Sequence, residues 1–202
     1  MRILAVDTTG ESLSVALRAG PKTFGQTRKF TKPHDETLLP AIDRLLKKAG
    51  LKLADLDAIA AASGPGRFTG IRIGMAYASV AAARLKIPAL AVSRFEAAAF
   101  RAASGKFCAV IEGFRDEKYY QLFDRKGGAL LASDKPQWIG GHAWLEVRKS
   151  LEKTGTAILE ADPRAEDLLG PAAFYLSRAK RSLPSFEPLY LKPAGYMLGK
   201  KK

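Results

Sequence analysis

Short apolar runs alternate along the first half of the chain with segments whose apolar residues recur every three or four positions, and this pattern sets out most of its elements. Arg2 to Asp7 (RILAVD) reads as a buried strand, four apolar residues in a row between two charges. Leu13 to Arg18 alternates Leu13, Val15 and Leu17 with Ser12, Ser14 and Ala16, which predicts a half-buried strand, and Thr8-Thr9-Gly10-Glu11 is the turn between the two. A third strand is predicted near Thr23 to Lys29, followed by a break at Lys32-Pro33-His34. From Thr37 to Ala49 the period becomes helical: Leu38, Ile42, Leu45, Leu46 and Ala49 form one stripe, Gly50 ends it, and Pro40 falls in the first turn, where its missing N–H costs nothing. Ala58 to Ala62 is a short buried strand that runs into SGPGRFTGIRIG, Ser63 to Gly74. A helix over Thr69 to Leu85, closed by Ile87-Pro88, a strand over Ala89 to Val92 and a helix over Arg94 to Ser104 complete this half.

The second half repeats the order. Phe107 to Glu112, Lys118 to Phe123 and Ala129 to Ala132 read as strands, the last two joined by an Asp124 to Gly128 turn, with a helix around His142 to Lys153. Three strands and a helix therefore occur twice, about one hundred residues apart, as a repeat of element order and not of residue identity. The expected architecture is α/β in two lobes, residues 1–104 and 105–192, with a basic tail at 193–202. Beyond Gly170, Pro171, Pro184, Pro188 and Pro193 punctuate a segment expected to be mostly irregular.

The helix after the glycines is apolar nearly all round. One side carries Ile73, Gly74, Tyr77, Ala78, Val80, Ala81 and Leu85, enough to cover a sheet. The other carries Arg72, Met75, Ala76, Ser79 and Ala83, with one charge among them, where a solvent-facing side would be polar. Small side chains on that side admit a second helix at close range, so it is expected to face another chain, with Leu38, Ile42 and Leu45 contributing. A neighbouring helix of the same chain is the competing occupant.

Composition narrows the class of partner. The 202 residues are 47% hydrophobic and 26% charged, which excludes a disordered chain. Lys and Arg number 33 against 20 Asp and Glu, a net charge of +13 that favours polyanions or simply keeps the surface solvated. A single cysteine, Cys108, allows no internal disulfide, and the apolar run stopped at Asp7 is too short for a signal peptide or membrane span, so a cytoplasmic protein is expected.

The candidate chemistry is sparse. A glycine turn between a buried strand and a helix N-terminus is a natural anion site, but Gly66 and Gly70 have three residues between them and are followed by Ile71-Arg72, so this is no P-loop. Gly64 and Gly66 are followed by Thr69 where a dinucleotide fingerprint needs its third glycine. Ala61 and Pro65 stand where a nucleophile elbow around Ser63 needs glycines. The alternative is that these glycines serve a tight turn and close strand–helix packing. Asp7, at a strand end before Thr8 and Thr9, has the chemistry to hold a hydrated metal and a phosphate, or to bond its own turn. His34 and His142 are far apart with no metal-ligand spacing.

ILAVDTT at Ile3 to Thr9, HDETLLPAI at His34 to Ile42, SGPGRFTGIRIG at Ser63 to Gly74 and PLYLK at Pro188 to Lys192 together resemble the bacterial TsaB (YeaZ) family, over nearly the full length and most strongly through Val92. The resemblance implies the actin-like ATPase (ASKHA) fold and the role of non-catalytic partner to TsaD. That complex, with the ATPase TsaE, moves a threonylcarbamoyl group from its adenylate to N6 of adenosine 37 in tRNAs that read codons beginning with A. It further implies a TsaD heterodimer, a homodimer when TsaD is absent, contact with tRNA through the complex, no resident cofactor or metal, and a vestigial nucleotide or phosphate region at Asp7, Thr8, Thr9, Gly64 and Gly66. Where TsaD carries a His-x-x-x-His metal pair, Val92 to Ala98 here places Arg94 and Ala98, retaining only Glu96 between them; a guanidinium and a methyl group ligate no cation. The competing function is an ASKHA phosphotransferase working through Asp7, Thr8 and Thr9, which needs an adenosine site for which Gly140-Gly141, beside Trp138, His142 and Trp144, is the one candidate.

Overall fold

The computed structural model describes residues 1–29, 34–102, 105–126, 129–178 and 183–192. The Lys32-Pro33 part of the expected break, the Gly127-Gly128 end of the expected turn, Ser104 and the 193–202 tail lie outside them. Two sheets form. The first takes the order β3-β2-β1-β4-β5, from β1 (Arg2–Asp7), β2 (Ser12–Ala19), β3 (Lys22–Lys29), β4 (Ala58–Ala62) and β5 (Ala89–Val92). The strands β1, β2 and β3 pair antiparallel, while β4 and β5 continue parallel to β1. The second joins β10 (Ala157–Ala161), β6 (Gly105–Glu112), β7 (Lys118–Lys126) and β8 (Ala129–Ala132) in that order, with β9 (Gln137–Ile139) also on β7. There β6 and β7 are antiparallel and β10 is parallel to β6. Three antiparallel strands, a helix and a strand parallel to the first thus occur in each lobe, as the actin-like fold requires, with α1 (His34–Ala49) and α4 (Gly141–Lys153) as the two helices. The third strand of the second lobe is broken: between β8 and β9, Asp134 fills the gap by accepting from Leu122 N–H at 2.8 Å.

Apart from its exposed edge strand β3, the first sheet is buried on both faces. Leu4, Val6, Leu13, Val15, Leu17 and Ile59 meet α1 and α2 (Phe68–Leu85). Ile3, Ala5, Ala16, Ala58, Ala60 and Ala62 meet α5 (Ala165–Ser177), whose close approach these alanines allow. This corrects two expectations. The second strand is not half-buried, because α5 covers the face of Ser14 and Ala16; and the irregular segment expected beyond Gly170 starts later, since α5 runs through Pro171 to Ser177 across the first sheet, while Leu183–Lys192 is irregular as expected. Ser14 starts α5, its Oγ accepting Ala165 N–H at 2.9 Å, which occupies one of the free amides of a helix N-terminus. Two boundaries also shift. The first helix begins at His34, so Pro40 lies inside it, and α3 (Arg94–Ala99) ends five residues before Ser104.

Candidate functional site

The end of β1 and the glycine turn are packed into each other. Asp7, Thr8, Thr9 and Ser63 are all buried. Asp7 Oδ1 accepts Thr9 N–H at 2.8 Å and the Thr9 hydroxyl at 2.6 Å, the self-bonded strand-end turn. The Thr8 hydroxyl donates to Gly70 O at 2.6 Å. A Cβ on Gly66 would stand 2.5 Å from Thr9 O, one on Gly70 2.0 Å from Thr8 O, and one on Gly74 2.6 Å from Thr8 Oγ1. Gly64, at φ +114°, would place its Cβ 2.7 Å from Leu189 O, while Leu189 N–H donates to Ser63 O at 2.7 Å. The space that these glycines open is therefore filled by the β1 turn and by the Leu183–Lys192 segment, not left as a phosphate cradle. The fold type implies a metal-bound nucleotide here. The residues present do not fit one: Asp7 Oδ1 and Thr8 Oγ1 are spoken for, and the Arg94 guanidinium stands beside Asp7 Oδ2 at 3.7 Å.

At Gly140-Gly141 in the second half, Gly141, His142 and Trp144 line a cavity with Glu112, Arg115 and Arg148, and a Cβ on Gly140 would meet nothing within 4 Å. A Cβ on Gly141 would meet Asp116 Cβ at 2.7 Å and Asp116 O at 2.8 Å, so its close approach is to the β6–β7 turn of its own lobe. Trp144 is buried against Tyr120, Cys108 and Val110. Glu96 is engaged as a cap: Ser93 N–H donates to its Oε2 at 2.8 Å, Ser93 Oγ accepts Glu96 N–H at 3.1 Å, and the Tyr175 hydroxyl donates to its Oε1. Burial, followed by the Glu96 charge and that bond, raises the Tyr175 hydroxyl pKa far above its ordinary value. Among the described residues, no three His, Cys, Asp or Glu side chains converge on one point.

The expected partner face is partly rearranged. Arg72, Ala76, Ser79 and Ala83 lie exposed along α2, uncovered by α1. Met75 does not: it is buried in the core with Ile71, Ala78 and Ala82, and Leu38, Ile42 and Leu45 are buried there too, because the α1 stripe packs on the sheet. Conversely Val80, assigned to the sheet side, is 71% exposed. The helix is rotated by roughly a quarter turn from the expected setting, toward burial of Gly70, Ile71, Gly74 and Met75. Two exposed aromatics extend the stripe at its N-terminal end. Phe68 and Tyr190 rings lie 4.7 Å apart, the Arg72 guanidinium lies 4.1 Å over Phe68, and its Nε donates to the Tyr190 hydroxyl at 3.4 Å. Sequence reading missed Phe68 and Tyr190 as surface residues, although PLYLK marked the second.

The family model described as TsaD, tRNA N6-adenosine threonylcarbamoyltransferase, matches residues 28–167. The Bacillus subtilis tRNA threonylcarbamoyladenosine biosynthesis protein TsaB is 31% identical, over 90% of this chain and 82% of its own. The chain belongs to the TsaB family. Its Escherichia coli relative of the same name is 28% identical over 95% of both chains. The solved structure of YeaZ from Pseudomonas aeruginosa has 28% identity and a TM-score of 0.75, covering 94% of this chain and 99% of that one. Membership of the TsaB family gives the chain its role in tRNA threonylcarbamoyladenosine biosynthesis. No helix among the described residues is long and apolar enough to cross a membrane.

Proposed function

We propose that this TsaB-family chain is the non-catalytic scaffold of the system: it binds TsaD, holds it in its active arrangement and helps to bring TsaE and tRNA to it in the cytoplasm. The observation that carries this reading is the outer face of α2. Phe68, Arg72, Ala76, Ser79, Val80 and Ala83 make a continuous exposed stripe, apolar or small at every position but Arg72. Small residues at its centre let a second helix approach to packing distance, and the aromatic cluster at its end supplies an anchor of the kind that dominates interfaces. The same stripe serves a second copy when TsaD is absent. Transfer chemistry belongs to the partner, because Asp7, Thr8 and Thr9 are bonded to one another and to the glycine turn. Those bonds also weigh against the phosphotransferase alternative.

An omission assay tests the reading. Purified TsaD, TsaE, tRNA and a source of threonylcarbamoyl adenylate are incubated with and without the chain, and the modified nucleoside is quantified. Formation is expected only with the chain present, while the chain alone with magnesium and ATP shows background hydrolysis. Full modification without it, or turnover by the chain alone, contradicts the proposal.

A further inference from the structure

Arg94 is a buried charge that the scaffold reading leaves without a role. Its side chain is 4% exposed, yet only Nη2 is well bonded, donating to Asp162 Oδ1 at 2.6 Å with Pro163 O at 3.4 Å. Nε is wholly buried and donates to nothing among the described residues; it lies 3.7 Å from Asp7 Oδ2. The three residues come from three places: Asp7 ends β1 of the first sheet, Arg94 opens α3, and Asp162 follows β10 of the second. The backbone N–H of Arg94 also donates to Gly64 O at 2.7 Å, and Nη2 would lie 3.6 Å from a Cβ on Gly10. Its charge reaches Tyr119 of β7, where it opposes the burial and the Glu117 charge that raise that hydroxyl's pKa.

We infer that Arg94 is the built-in cation of the junction between the two sheets: its guanidinium stands between Asp7, at the end of β1, and Asp162, after β10, where a nucleotide-bound metal ion would have to lie beside Asp7. Arg94 is then a positioning residue. It fixes the two lobes in one relation without any ligand, so the α2 stripe is presented in the same way whether or not nucleotide is present. Removing it leaves the buried Asp7 carboxylate with no counter-charge among the described residues, which is the costly half of breaking a buried pair. The inference stands on contacts inside this chain and is independent of which partner α2 meets.

Arg94→Ala, followed by thermal unfolding with millimolar methylguanidinium or methylammonium, tests it. The melting temperature is expected to fall by roughly 5–10 °C, tempered by the exposure of Asp162. Methylguanidinium, which refills the planar site, is expected to restore at least half of that loss, and methylammonium little of it. No fall, or a fall that neither or both ions restore, overturns the inference. If Arg94→Ala does not fold, Asp162→Ala decides, since its exposed side chain is dispensable to the core. Hydrogen exchange in Asp162→Ala is expected to speed several-fold at residues 8–10 and 162–164, and unchanged exchange overturns the inference. Wild-type protein is expected to show no shift in melting temperature with magnesium and ATP; a shift places a cation where Arg94 stands and overturns it as well.

Discussion

Replacing Gly70 by alanine separates a packed glycine turn from an open anion site by the sign of its effect. Gly70 is the third residue of α2, and helix propensity alone favours alanine there by about 1 kcal/mol. The added Cβ, however, would stand 2.0 Å from Thr8 O, 3.0 Å from Thr8 C and 3.3 Å from Thr9 Cα, all of them backbone atoms at the end of a central strand. No rotamer change relieves that contact, so α2 must move away from β1. Overpacking of this kind costs about 1–3 kcal/mol. The same movement stretches the bond from the Thr8 hydroxyl to Gly70 O, now 2.6 Å, worth about a further 1 kcal/mol. The net expectation is a loss of about 1–3 kcal/mol, which lowers the melting temperature by roughly 3–10 °C in a protein of this size. Urea unfolding followed by circular dichroism measures it directly. A Gly70→Ala variant as stable as the parent, or more so, would refute the packing argument and return the turn to the anion-site reading.

Three further outcomes are expected. Ser14→Ala deprives Ala165 N–H of its acceptor at the buried start of α5 and should lower stability by about 1–2 kcal/mol in the same assay; no change would mean that α5 is held by packing alone. Burial pushes the Cys108 thiol up to about 12 from 9.0, so it should resist an aromatic disulfide reagent at neutral pH until urea is added. Because its folded pKa lies above the unfolded value, its contribution is complete below pH 9 and should be lost as pH rises toward 12. If the +13 charge meets tRNA, it does so through phosphates, so filter-binding affinity should fall steeply with salt and vary little with tRNA sequence; salt-insensitive binding would exclude this mode.

The first sheet was legible because each strand and helix carries its own period, and nearly every boundary fell within a few residues. The fifth helix was not. Gly170 and Pro171 sit in its middle, and LLGPAAFYL is too uniformly apolar to show a helical face, since α5 is wedged between the first sheet and α3. The setting of α2 failed for the same reason. When a helix is apolar all round, periodicity cannot choose the buried arc, and the contacts of Gly70 and Gly74 with Thr8, which do choose it, are long-range. The candidate site was readable as a list of residues but not as an arrangement. That Asp7 could bond its own turn was legible locally, but that Thr8 would meet Gly70, that Leu189 would close on Gly64 and that Arg94 would reach Asp162 depend on chain segments that meet only in the folded protein.

Whether the outer face of α2 is the partner surface is decided most directly by titrating TsaD from the same source into the chain and into its Ala76→Arg variant by calorimetry. Ala76 is exposed at the centre of the stripe, so the long charged side chain leaves the fold intact but blocks a packed helix, with overpacking and an unpaired charge together worth several times about 1 kcal/mol. Leu45→Ala, on the buried face of α1, serves as the counterpart that lowers stability while leaving the outer face of α2 unchanged. The account predicts a saturable heat for the parent and for Leu45→Ala at a temperature where both are folded, and none for Ala76→Arg. Binding of Ala76→Arg with the parent's affinity would contradict it.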